Sequence, residues 1–180
     1  KESISPLLGK EFLFNTLIIG IVALIIVGLV VFIRYRHITL SLPIFLTGAS
    51  EIVMILGVVS LIRYNLDLAA VTGILASVGT GVDHKIIIMD ELLKGRKEEE
   101  ESAVSGMSYG ARIQRAFFII FAAAATAMAT MLQIVLFSFG VGKLRGFAFM
   151  TLLGVIIGVG LTRPAFSVVA QYLLKHEKKA

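Results

Sequence analysis

Apolar residues in this chain do not alternate with polar ones at a strand or surface-helix period; they fill long unbroken runs separated by polar links. Five runs stand out, at about 12–33, 38–62, 66–90, 116–137 and 146–173. Each reaches the roughly 20 residues that a helix needs to cross the hydrocarbon core of a bilayer. The runs are too long and continuous for barrel strands, and backbone polar groups in lipid must be satisfied within their own segment, so the pattern predicts five transmembrane helices. Three links are short: Arg34 to His37, Arg63 to Asn65 and Ser138 to Arg145. The fourth, 92–115, is a longer polar link carrying KGRKEEEE and then a small-residue stretch ending in RIQRA. Its acidic run, Glu98 to Glu101, reads as a solvated loop or the first turn of a cytoplasmic helix. The expected fold is therefore all-α: a polytopic membrane helix bundle forming a single domain over 1–180.

Composition strengthens this reading. Hydrophobic residues make up 57% of the chain, charged residues 16%, and mean hydropathy is +0.93, too apolar for a soluble domain of this length. There is no cysteine, which excludes disulfides and thiolate metal sites. The three histidines, His37, His84 and His176, are far apart in sequence, so neither a metal centre nor a cofactor is expected. Net charge is +5, and the basic residues sit at the ends of apolar runs rather than in one patch, which points to membrane topology and away from nucleic acid. Ten Lys and Arg (34, 36, 94, 96, 97, 112, 115, 175, 178, 179) fall on one side and five (1, 10, 63, 143, 145) on the other. The richer side is expected to be cytoplasmic, with the N-terminus outside and the C-terminus inside a plasma membrane. The first residues, Lys-Glu-Ser-Ile-Ser-Pro, carry no basic n-region or small-residue cleavage site, and a piece of a longer protein with an external domain before it is the expectation.

Against this apolar background five ionisable groups fall within or close to the spans: Glu51, Asp83, His84, Lys85 and Arg163. A charge at a helix centre costs about 2.5–3.5 kcal/mol on insertion scales, so such groups face a bundle interior, a water-filled cavity or a partner. Asp83 is the strongest candidate for proton loading and release, because a short carboxylate cannot snorkel; a static polar contact between helices is the alternative. At 100° per residue, Thr80, Asp83, Ile87 and Asp90 share one face, and Lys85 points some 200° away from Asp83. Lys85 then either snorkels to the inner surface or reaches Glu51, which sits near the middle of the second span. His84 lies between the two directions, where it either relays protons or is simply hydrogen-bonded. Arg163 precedes Pro164, which should remove the hydrogen bond to the Gly160 carbonyl, disfavour helical geometry at Arg163 and kink the last span. Its expected depth matches that of Asp83, so the two either pair across helices or Arg163 snorkels. The predicted proton pathway thus comprises Asp83, Arg163, Glu51, Lys85, His84 and Thr80. Small residues (Gly73, Gly79 and Gly81; Ala122 to Thr130; the pair Gly154 and Gly158) predict close helix packing.

Three stretches in a fixed order carry a resemblance: GTGVDHKIIIMDE (79–91), RIQRAFFIIF (112–121) and GKLRGFAFMTLLGVIIGVGLTRP (142–164). Together they resemble the C-terminal membrane half of the SecD family of the RND superfamily, most closely its archaeal form, and the similarity extends over essentially the whole chain. The resemblance implies an RND-type half lacking its first helix and external domain. It also implies pairing with a SecF-like subunit, action beside the Sec translocon on a translocating polypeptide among membrane lipids, and use of the proton gradient. Asp83 matches the family's membrane aspartate. The chain departs from the bacterial pattern, in which Val-Asp continues with Ala-Asn, by having His84 and Lys85 there, and it has Ala122 to Ala125 where bacterial relatives carry a further aspartate. Glu51, His84 and Lys85 are expected to take the place of those polar groups. The competing readings are a half of another RND-type transporter, moving lipids or small hydrophobic molecules, and a passive scaffold or sensor bundle. No Gly-x-Ser-x-Gly, His-Glu-x-x-His or aspartate dyad is present, so no enzyme is expected.

Overall fold

The computed structural model describes residues 6–101, 109–137 and 142–177. Among them the secondary structure is entirely helical: α1 (Pro6–Tyr35), α2 (Ile38–Leu61), α3 (Leu68–Glu101), α4 (Tyr109–Phe137), α5 (Gly142–Ile157), a π-helical turn (Gly158–Thr162) and α6 (Arg163–Glu177). Five segments are long and apolar enough to cross a membrane: Ile18–Tyr35, Ile38–Leu61, Leu68–Lys94, Gly110–Phe137 and Leu144–Leu174, the last combining α5, the π turn and α6.

Two features differ from the expectations. Helix α3 does not stop near residue 90 but continues for 34 residues through KGRKEEEE. At 1.5 Å per residue it is about 50 Å long, far more than a hydrocarbon core of about 30 Å. Lys, Arg and Glu are strong helix formers, so this part of the 92–115 link extends the helix instead of looping, while residues 102–108 of that link lie outside the described residues. Arg163, expected to leave helical geometry, keeps it, with φ −71° and ψ −45°. Its N–H donates to the carbonyl of Gly158, five residues back. The wider turn brings the chain to Pro164 with helical structure on both sides, so the span is not interrupted.

The α2–α3 turn forms a Schellman motif: Arg63 N–H donates to Ser60 O (3.1 Å) and Tyr64 N–H to Val59 O (3.1 Å). Arg63 stands at φ 52°, the left-handed position that usually goes to glycine. Asp67 then caps α3, its Oδ1 accepting from Ala70 N–H at 2.7 Å. Tyr64 stacks on Phe149 with ring centres 5.2 Å apart, fastening this end to α5. Burial and then the Asp67 charge push the Tyr64 phenol up, with Arg145 opposing.

Helices α3 and α5 cross closely because small residues meet there. A Cβ on Gly73 would overlap the Phe147 carbonyl, and one on Gly154 would overlap the Ser77 side chain. Thr151 Oγ1 donates to Phe147 O (2.8 Å) and lies 3.3 Å from Gly73 O across the crossing. Two apolar clusters fill the bundle, one around Ile44, Ile88, Met89, Ile120 and Phe166 and the other around Ile55, Ile74, Val78, Met150 and Ile157.

Candidate functional site: a buried charged node and an exposed carboxylate on one helix

The charged residues of α3 divide by face. Lys85 is fully buried and its Nζ lies 2.9 Å from Glu51 Oε2, itself fully buried on α2. The same oxygen accepts from Thr162 Oγ1 of the π turn at 3.0 Å. Arg163, also fully buried, follows Thr162 directly. These residues tie together α2, α3 and the last span at one depth. The approach depends on two glycines. A Cβ on Gly81 would stand 2.9 Å from both Glu51 oxygens, and one on Gly158 would stand 2.9 Å from Glu51 Oε1 and 3.1 Å from Arg163 Cζ and Nη2. A carboxylate thus fits between two helix backbones only because neither carries a side chain there.

The opposite face of α3 presents Asp83. Its side chain is exposed, and among the described residues it has no hydrogen-bond or ion-pair partner. Neither of the two readings of Arg163 holds, since it does not pair with Asp83 and is fully buried instead of snorkelling to the surface. Asp83 lies some 200° around the helix from Lys85, and Arg163 joins the Lys85 side. Thr80, exposed beside Asp83, spends its hydroxyl on Ser77 O of its own helix at 2.9 Å. Toward the N-terminal end from Asp83 the exposed or half-exposed face of α3 carries the small and polar residues Thr72, Ala76, Gly79 and Thr80, and beyond Asp83 it continues through half-exposed Ile86 and Ile87. The exposed surface of α1 is bulky and apolar, with Ile25, Leu29 and Ile33, whereas α4 exposes Phe118, Phe121 and Phe137 together with a small-residue stretch that includes Ala122, Ala125, Thr126 and Ala129.

His84 is buried between these directions, and its Nδ1 has no hydrogen-bond partner among the described residues. Asp90, lower on the Asp83 face, is engaged: Arg34 Nη2 donates to its Oδ2 at 2.9 Å and Tyr35 OH to its Oδ1 at 3.0 Å, clasping α1 to α3. No group of three or more His, Cys, Asp or Glu is placed to hold a metal among the described residues. A cavity of about 40 Å³ between α1, α2 and α3 is lined only by apolar residues, including Leu24, Phe45, Gly48 and Val82, and offers no polar group to orient a ligand.

Sequence reasoning reached Glu51, Lys85 and Arg163 as charges in need of partners. It did not single out Thr162, or Gly81 and Gly158 as the walls of the carboxylate site. The signal for Thr162 was its place before Arg163 in the Thr-Arg-Pro that ends the last apolar run.

A five-span helical bundle of this kind, with an ion pair buried between its helices, defines a multi-pass membrane protein. The family described as protein export membrane protein SecD/SecF, C-terminal, matches residues 1–163. This chain belongs to that family. Similar proteins include the protein-export membrane protein SecD of Methanocaldococcus jannaschii, 48% identical over 97% of this chain and 41% of its own length. That of Thermococcus gammatolerans is 46% identical over 98% of this chain and 33% of its own length, and that of Haloferax volcanii 44% over 97% and 32%. The chain thus spans about a third to two-fifths of the curated relatives it matches. No solved structure matches it significantly.

Proposed function

We propose that this chain is the membrane domain of a SecD-like subunit of the protein-export machinery, and that Asp83 couples the proton gradient to export. The observation that carries this reading is the placement of Asp83: an exposed carboxylate, without a partner among the described residues, within a membrane-spanning helix and on a face that also presents Thr72, Ala76, Gly79 and Thr80. Hydrocarbon is an unfavourable neighbour for that face, whereas a second helical bundle packs well against Thr72, Ala76, Gly79 and Thr80. We take a SecF-like subunit as that partner, since the matching family's description names SecD and SecF together. Asp83 then lies between two bundles, where partner groups and admitted water decide its protonation. The pair Lys85–Glu51, with Thr162 and Arg163, holds α3 in register behind it. The basic end of the bundle, with Arg34, Arg36, Lys94, Arg112 and Arg115, faces the cytoplasm. The Sec translocon and its translocating polypeptide act through the parts of the protein beyond this domain, and the role involves no covalent chemistry.

The test is Asp83→Asn in the full-length protein with its partner subunit. Proton-dependent stimulation of export is expected to be lost while the complex still assembles. Undiminished stimulation would refute the reading.

A further inference from the structure

Among the described residues, five buried side-chain nitrogen or oxygen atoms have no partner within the protein: Glu51 Oε1, His84 Nδ1, and Nε, Nη1 and Nη2 of Arg163. They are not scattered. All belong to the charged node and its immediate neighbour, and Arg163 and Lys85 both lie near enough to His84 to act on it electrostatically. A guanidinium has five N–H donors and no acceptor, and a fully buried one without any hydrogen bond bears a large desolvation penalty.

Glu51 does not meet Arg163 directly: its Oε2 is held by Lys85 at 2.9 Å and Thr162 at 3.0 Å, and its Oε1 forms no hydrogen bond with the guanidinium. Its Oε1 nevertheless faces Arg163 across Gly158, with 2.9 Å from the Gly158 Cβ position to Oε1 and 3.1 Å from it to Nη2. The two atoms are therefore within about 6 Å of one another, the reach of one molecule making two hydrogen bonds of about 2.8–3.0 Å. What fills that reach must accept from Arg163 and donate to a carboxylate oxygen. A halide or other small anion accepts only, and would stand against the Glu51 charge. A metal cation would stand against Arg163 and Lys85. Water does both jobs, and a buried water with two to four polar partners is an ordinary structural element.

We infer that Gly158 and the π turn build an internal water site in which water accepts from the Arg163 guanidinium and donates to Glu51 Oε1. The glycine supplies the room, because a methyl group at 158 would stand between the two atoms that the water joins. The site is separate from the exposed Asp83 face and does not rest on the role proposed for Asp83. Its test reads hydration, not transport.

The measurement is water-edited solid-state NMR of the full-length protein, labelled with ¹⁵N at arginine and isoleucine, in lipid bilayers, following polarisation transfer from water to the Arg163 side chain. Transfer is expected several-fold faster than to the amides of Ile55 and Ile157, which are buried without polar side chains. Transfer to Arg163 as slow as to those amides overturns the inference in the native protein, with no variant needed. Gly158→Ala should abolish the fast transfer, whereas Gly160→Ala, whose added methyl meets nothing within 4 Å, should leave it intact. Fast transfer that persists in Gly158→Ala also overturns it.

Discussion

Asp83 and Lys85 are two residues apart on one helix and live in opposite worlds. Lys85 is sealed at 0% exposure against an equally sealed Glu51, while Asp83 is exposed and has no partner among the described residues. The glycines one turn earlier repeat the contrast, since Gly81 presses on the Glu51 carboxylate and Gly79 meets nothing. A helix at 100° per residue turns a two-residue step into opposite faces. Charge in a membrane segment therefore carries no single meaning. Facing inward with its counter-charge it fixes helix packing, and facing outward alone it calls for a partner.

The largest effect should come from breaking the inner pair. Glu51→Gln or Lys85→Met, each leaving buried charge uncompensated, should destabilise the purified protein by about 3–5 kcal/mol in equilibrium unfolding. The double variant should lose much less than the sum of the two, and additive losses would dissolve the pair as a unit. Next comes space. Gly81→Ala must displace the Glu51 carboxylate and is expected to cost about 1–3 kcal/mol. Gly79→Ala, with open space at its Cβ and better helix propensity, should be neutral or stabilising by up to about 1 kcal/mol. Equal effects of these two on thermal stability would erase the difference between the faces. The clasp of Arg34 on Asp90 is exposed, with side chains at 57% and 30%, so Arg34→Ala should cost only about 0.2–1 kcal/mol and should cost less in high salt. A loss as large as that of Lys85→Met would mean that this end of α1 is far better shielded than its exposure indicates.

Much of this contrast could be read from the sequence. Five apolar runs and their lengths determine the bundle, and the period of the helix alone separates Asp83 from Lys85, but it leaves the lysine either snorkelling or reaching Glu51. The partnership of Thr162 with Glu51 joins residues 111 positions apart, which no local pattern encodes. Nor does the π turn follow from Pro164 itself. Proline signals only a lost hydrogen bond, and whether the chain kinks or widens depends on how the last span packs against α2 and α3. The expected Asp83–Arg163 pairing failed for a related reason: equal depth in the bilayer does not mean the same side of a helix. The extension of α3 through KGRKEEEE was hidden because a polar run that has left the hydrocarbon reads alike as loop or as helix.

The central claim is that the inner charge of α3 holds the bundle together and the outer one does not. The measurement that reaches it most directly is the thermal midpoint of Lys85→Met beside that of Asp83→Asn, both in the purified full-length protein. At about 2–4 °C per kcal/mol for a domain of this size, Lys85→Met should fall by roughly 10 °C, while Asp83→Asn should stay within about 2 °C of the parent. A midpoint that drops as far for Asp83→Asn as for Lys85→Met, or that holds for Lys85→Met, would contradict the account.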